Sequence, residues 1–145
     1  MGMSELLRTY KRFALDTNAF IAVFAEEPTG EKILPLIEAA ADNRTHELVT
    51  SVLAFSECAV KPYRDGNWAA LDQVKLMFQM PNLTVYPMDE VVAEEAARIR
   101  AVYNCKMPDA IIAATAIVHK ADVFITNDKR LKILREIKVV ALDEL

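Results

Sequence analysis

A three-layer α/β/α sandwich with a central, mainly parallel sheet is the fold this sequence predicts, and three observations predict it. Short apolar runs of strand length alternate with helical patterns along the chain, as expected for parallel strands joined by crossover helices. Residues 110–118 are apolar on nearly every side, which marks a buried helix. The length of 145 residues, with 53% hydrophobic and 26% charged content, suits one domain spanning 1–145 with enough apolar material for a core.

The elements follow in order. Residues 1–11 mix acidic and basic side chains without an apolar run, so they read as a short N-terminal extension and not as a secretory signal. Residues 12–15 form a buried strand that ends at Asp16, and a helix from Asn18 carries Phe20, Ile21 and Phe24. After a break at Glu26, Glu27 and Pro28, Thr29 caps a second helix over 31–41 with Ile33, Leu34 and Ile37 on one side. Leu48 and Val49 centre the next strand. Ser51 then opens a helix through Phe55, Glu57 and Cys58, which Pro62 is expected to stop. A helix over 67–79 and a strand over 83–86 follow. Asp89 or Glu90 starts an amphipathic helix through Val92, Ala96, Ile99 and Tyr103, and Pro108 begins the buried helix. A strand over 123–126, a short helix around Leu131 and a last strand over 139–142 complete the chain.

Composition removes several functions. Three glycines, Gly2, Gly30 and Gly66, lie too far apart to form a dinucleotide fingerprint or a phosphate-binding P-loop. With Cys58, Cys105, His46 and His119 as the only cysteines and histidines, a four-ligand nitrogen and sulfur zinc site would consume all of them. Both cysteines read as buried structural thiols of a reduced, cytoplasmic protein, and no apolar stretch reaches the ~20 residues of a membrane span. Net charge is −4, yet residues 98–138 hold nine basic against four acidic residues. Such a zone reads either as solvated helix faces or as a polyanion contact.

In sheets of this kind ligands sit at the carboxyl ends of the strands. Four acids fall there: Asp16 after the first strand, Glu57 on the helix after the second, Asp109 in the first turn of the buried helix, and Asp128 after the fourth strand. Taken singly they read as an N-cap, a solvated helix residue, a complement to a helix dipole and an Asx turn. Together they would repel one another unless protons or cations intervened, and an all-oxygen set suits Mg²⁺ or Mn²⁺. Such ions assist phosphodiester hydrolysis.

The blocks Leu15-Asp16-Thr17-Asn18, Ser56-Glu57, Pro108-Asp109-Ala110-Ile111-Ile112-Ala113-Ala114-Thr115-Ala116 and Ile125-Thr126-Asn127-Asp128 resemble the PIN-domain family, and its VapC-like ribonuclease toxins in particular. The resemblance runs from about residue 13 to 142. It implies a parallel sheet, Mg²⁺- or Mn²⁺-dependent endoribonuclease activity on RNA, frequent homodimerisation and, for toxins, a cognate antitoxin. By position Asp16, Glu57, Asp109 and Asp128 match the acidic quartet that serves catalysis and metal binding, and Asn18 and Thr126 match its supporting polar residues. The implied nucleophile is water activated by the cation. Beside this site Arg98, Arg100, Lys106, Lys129 and Arg130 become candidates for phosphate contact. Trp68 and Tyr103, at apolar helical spacing, read as core residues before base-stacking ones.

Two departures stand out: the stretch before the first strand is longer than in most VapC-like toxins, and Lys129-Arg130-Leu131 replaces the aromatic residue many relatives carry after the last acid. A PIN-fold RNA-binding or adaptor protein with little turnover is the alternative in another functional class. A haloacid-dehalogenase-like phosphatase would want a second aspartate two positions after Asp16, where this chain has Asn18.

Overall fold

The computed structural model describes residues 1–145. Five strands form one sheet: β1 (Arg12–Leu15), β2 (Glu47–Ser51), β3 (Leu83–Tyr86), β4 (Val123–Thr126) and β5 (Lys138–Ala141). Their spatial order is β3-β2-β1-β4-β5, and every neighbouring pair is parallel. Each is short, and β4, Val-Phe-Ile-Thr, is made only of β-branched and aromatic residues and is buried at all four positions. A parallel sheet needs cover on both faces, and seven helices supply it: α1 (Met3–Thr9), α2 (Thr17–Phe24), α3 (Pro28–Ala41), α4 (Val52–Asp65), α5 (Trp68–Met77), α6 (Glu90–Tyr103) and α7 (Met107–Val118). Two 3₁₀ turns, Lys129–Ile133 and Leu142–Glu144, follow β4 and β5.

The expected α/β/α sandwich with a parallel sheet is the fold observed. From β1 the chain steps to β2 and β3 on one side, then returns to lay β4 and β5 on the other. The order therefore reverses between β1 and β4, the two central strands, and this switch point is where such sheets open a crevice at their carboxyl ends. Helix α7, buried from Ala110 through Ala116, pairs with α6 and lies over β2, which explains why its sequence has no polar face.

Several boundaries differ from expectation, each for a local reason. The N-terminal stretch is a helix that plugs the core: Leu6 is fully buried and Met3 nearly so, with α1 seated on α3. His46 bolts it down, Nε2–H donating to the Leu7 carbonyl at 2.8 Å. Pro62 does not stop α4, because the one lost backbone bond falls in the last turn and the helix runs on to Asp65. Gly66, at φ +63, then caps it. Helix α3 starts at Pro28 in its first turn, with Glu27 as N-cap in place of Thr29. The helix expected over 67–79 ends at Met77. Gly30 is the glycine that packing requires: a Cβ there would stand 2.4 Å from the Ala22 carbonyl oxygen, so α2 and α3 meet only because it has none. Cys58 is buried, whereas Cys105 lies half-buried in the loop between α6 and α7.

Candidate active site

The site grows from the end of β1. Asp16 leaves the strand with its N–H still bonded to the Ile125 carbonyl at 3.0 Å, so its backbone continues the β1–β4 ladder. Its side chain caps α2, Oδ1 accepting from the Thr17 N–H at 2.7 Å. Oδ2 accepts from the Thr126 hydroxyl at 2.6 Å. The same hydroxyl oxygen accepts the Asp128 N–H at 3.0 Å, so Thr126 ties the first acid to the loop that carries the last. Asn18 works in parallel, its Oδ1 accepting the Asn127 N–H at 2.8 Å. Asp16 is 4% exposed and Thr126 fully buried. The carboxyl of Asp16 is pushed up to about 6, first by burial and further by the charges of Asp109 and Glu57, against the pull of its two hydrogen bonds.

The other three acids surround this buried one. Glu57 projects from α4 and accepts a hydrogen bond from the Thr17 hydroxyl at 2.6 Å. Asp109 sits half-buried in the first turn of α7, and its carboxyl is raised, first by burial and then by the charges of Asp128 and Glu57. Asp128 caps the 3₁₀ turn, Oδ1 accepting the Arg130 N–H at 3.0 Å. Its pKa is lowered, chiefly by the hydrogen bonds from the Arg130 side chain. Three of the four acids thus also fill the everyday roles of N-cap, first-turn acid and Asx turn, and those roles are what fix them in place.

The quartet fits a hard cation by its chemistry. Every donor is a carboxylate oxygen, and the repulsion that adds to burial in raising Asp16 and Asp109 is what a divalent ion would relieve. No three of these side chains yet converge on one point. Three of them already accept hydrogen bonds, Asp16 from Thr17 and Thr126, Glu57 from Thr17 and Asp128 from Arg130.

The basic candidates divide. Arg130 and Lys106 are close enough to the site to oppose the upward shift of Asp109. Arg100 donates to the Cys105 carbonyl at 2.7 Å, and Lys129 pairs with Asp143 at 3.0 Å. Arg98 is held by Glu95 and Glu136, and the Tyr103 hydroxyl donates to the same Glu136 at 2.5 Å. The excess of positive charge over 98–138 is therefore smaller in space than along the chain, since Asp143, Glu144 and Glu95 lie outside that window and neutralise Lys129, Lys132 and Arg98. Trp68 is not a core residue: it is 60% exposed and meets Tyr63 edge-on, with ring centroids 5.9 Å apart. Thr17, whose amide serves Asp16 and whose hydroxyl serves Glu57, is the site residue that sequence reasoning missed; its place directly after the first acid was the available signal.

Beside Glu57, a cavity of about 240 Å³ opens between α2, α4 and α5, lined by Ile21, Phe24, Cys58, Pro62 and Val74 among others. No helix of the chain is long and apolar enough to cross a membrane.

No curated protein matches the chain. Among solved structures it is similar to VapBC2 from Rickettsia felis bound to a DNA fragment from their promoter, with TM-score 0.70 and 16% identity over 90% of this chain and 98% of that one. It is also similar to VapBC-1 from nontypeable Haemophilus influenzae, with TM-score 0.69 and 19% identity over 91% and 98%. A toxin-antitoxin complex from Klebsiella pneumoniae gives TM-score 0.68 and 21% identity over 89% and 96%. At these identities the likeness establishes the fold. The family model for the PIN domain matches residues 13–137, a span that holds all four acids, and the chain belongs to the PIN domain family.

Proposed function

We propose that this protein is a divalent-metal-dependent endoribonuclease, a VapC-like toxin that hydrolyses RNA phosphodiester bonds. The observation that carries the reading is the buried Asp16, held from two sides at the β1–β4 switch point and raised by its burial and then by the charges of Asp109 and Glu57. A carboxylate kept in so costly a position is characteristic of a functional site. Asp16, Glu57, Asp109 and Asp128 would hold Mg²⁺ or Mn²⁺, which supplies an activated water near neutral pH and polarises the scissile phosphoryl group.

The chain's own residues do the positioning. Thr126 and the Thr17 amide fix the rotamer of Asp16, and Asn18 fixes the loop that bears Asp128. The Thr17 hydroxyl engages Glu57 Oε1, which leaves Oε2 to accept a proton from a water at the crevice. Lys106 and Arg130, at the rim, present positive charge to the RNA backbone. Arg100 and Lys129 flank them, while Arg98 would reach phosphate only after leaving Glu95 and Glu136. A cytoplasmic location, a homodimer and a cognate antitoxin complete the proposal, the last supported by the toxin-antitoxin complexes whose fold the chain shares.

The test is cleavage of structured RNA by purified protein. Cleavage is expected with Mg²⁺ or Mn²⁺ and is lost with EDTA and in the Asp16→Asn, Asp109→Asn double variant. Cutting that survives either treatment rules out the mechanism, and tight RNA binding without cutting in any metal leaves the adaptor reading.

A further inference from the structure

We propose that Arg130 is a built-in counter-ion for Asp128, one that a divalent cation displaces and that is thereby released toward the phosphate of the RNA. The inference rests on the metal-dependent reading above and adds a step to it.

Arg130 engages both carboxylate oxygens of Asp128. Nε donates to Oδ1 at 2.9 Å, Nη2 donates to Oδ2 at 2.8 Å, and the backbone N–H donates to Oδ1 at 3.0 Å. This is the planar fork that only a guanidinium offers a carboxylate. Of the paired cations in the basic zone, Lys129, Lys132 and Arg98 all bind acids outside the quartet, and Arg130 alone binds one inside it. It does so as an exposed side chain, 77% accessible, with no partner other than Asp128.

Those facts decide the exchange. A cation held by Asp128 needs the oxygens that Arg130 now occupies, and the two positive charges repel. The guanidinium is solvent-exposed, so water screens the pair and solvates Arg130 as it leaves. A divalent ion carries twice the charge and also draws on Asp16 and Asp109, so it wins. Asp128 keeps its place afterwards, because its N–H remains bonded to Thr126. The freed guanidinium then stands at the rim with five donors and no acceptor, chemically matched to a phosphodiester. Metal occupancy and substrate contact are thus linked through one side chain.

The test is a Mn²⁺ binding isotherm without RNA for wild type and three variants. Arg130→Gln is expected to bind Mn²⁺ about 10-fold more tightly, and Arg130→Lys, which keeps the charge but loses the fork, about 3-fold more tightly. Lys106→Gln, which removes a nearby charge that does not touch Asp128, is expected to change affinity by less than about 2-fold. Equal affinities for Arg130→Lys and wild type, together with equal gains in Arg130→Gln and Lys106→Gln, would reduce the effect to general electrostatics and overturn the proposal. If wild type binds Mn²⁺ and cuts RNA while the Arg130 variants bind no more tightly, this step alone fails. If wild type neither binds Mn²⁺ nor cuts RNA, the ribonuclease reading fails with it.

Discussion

Replacing Asp16 by Asn should make this protein more stable at alkaline pH while disabling its site. Asp16 is 4% exposed, and its carboxyl titrates near 6 in the folded chain against 3.8 for the ordinary group. The folded state therefore binds more protons than the unfolded one between 3.8 and about 6, and stability falls as pH rises through that window. At about 1.4 kcal/mol per pH unit, ionising Asp16 in place costs the fold roughly 3 kcal/mol at pH 8. The amide variant escapes this cost. It keeps a side-chain oxygen for the Thr17 N–H and so keeps the cap on α2, but it forfeits the hydrogen bond donated by Thr126, worth about 1 kcal/mol. The balance is a gain of about 1–2 kcal/mol at pH 8, or roughly 3–8 °C in Tm for a chain of this size. Chemical denaturation in EDTA at pH 8 and pH 4 checks it. Near pH 4 most of the benefit disappears, because Asp16 is then protonated in the folded protein. Equal destabilisation at both pH values would refute the reasoning, since it would mean that the charge of Asp16 costs nothing.

Three further outcomes follow from the structure. Gly30→Ala sets a methyl group 2.4 Å from a backbone oxygen of α2, which cannot rotate aside, and should cost about 1–3 kcal/mol by urea unfolding. Trp68, the single tryptophan, should emit as a solvent-exposed indole, and Trp68→Phe should move stability by no more than about 0.5 kcal/mol; a blue-shifted spectrum would contradict its placement. The Cys58 thiol is pushed up to about 12 by burial and then by the charges of Glu57 and Asp16, so at pH 7 it should resist alkylation in the folded protein and react on unfolding.

Much of this molecule was legible in its sequence because its elements obey local rules. The buried helix α7 announced itself by lacking a polar face, and β1 and β4 by short apolar runs with an acid just beyond their carboxyl ends. Asp16, Asp109 and Asp128 could be picked out because each sits at an element boundary, whereas Glu57 lies within α4 among apolar neighbours. What escaped was long-range. Nothing local in Met-Ser-Glu-Leu-Leu-Arg-Thr reveals that Leu6 completes a core, since its neighbours in space come from α3 and from the loop before β2. Nor does a charge count show that Lys129 and Lys132 are neutralised by residues 14 and 12 positions further on. Trp68 was misjudged because helical spacing assigns a residue to a face, and only packing decides whether that face is covered.

The family match and the folded unit do not end at the same places. Residues 13–137 exclude α1, with its buried Leu6, and β5, with the buried Val140 and Ala141. A recombinant fragment cut to those residues would lose the plug under α3 and turn β4, now a central strand, into an apolar edge ready to pair with other chains. Such a fragment should precipitate whether or not its catalytic residues are intact, and its failure would say nothing about the chemistry of the site. Expression trials and display libraries built on this chain therefore need their boundaries drawn outside α1 and β5, with tags added beyond them.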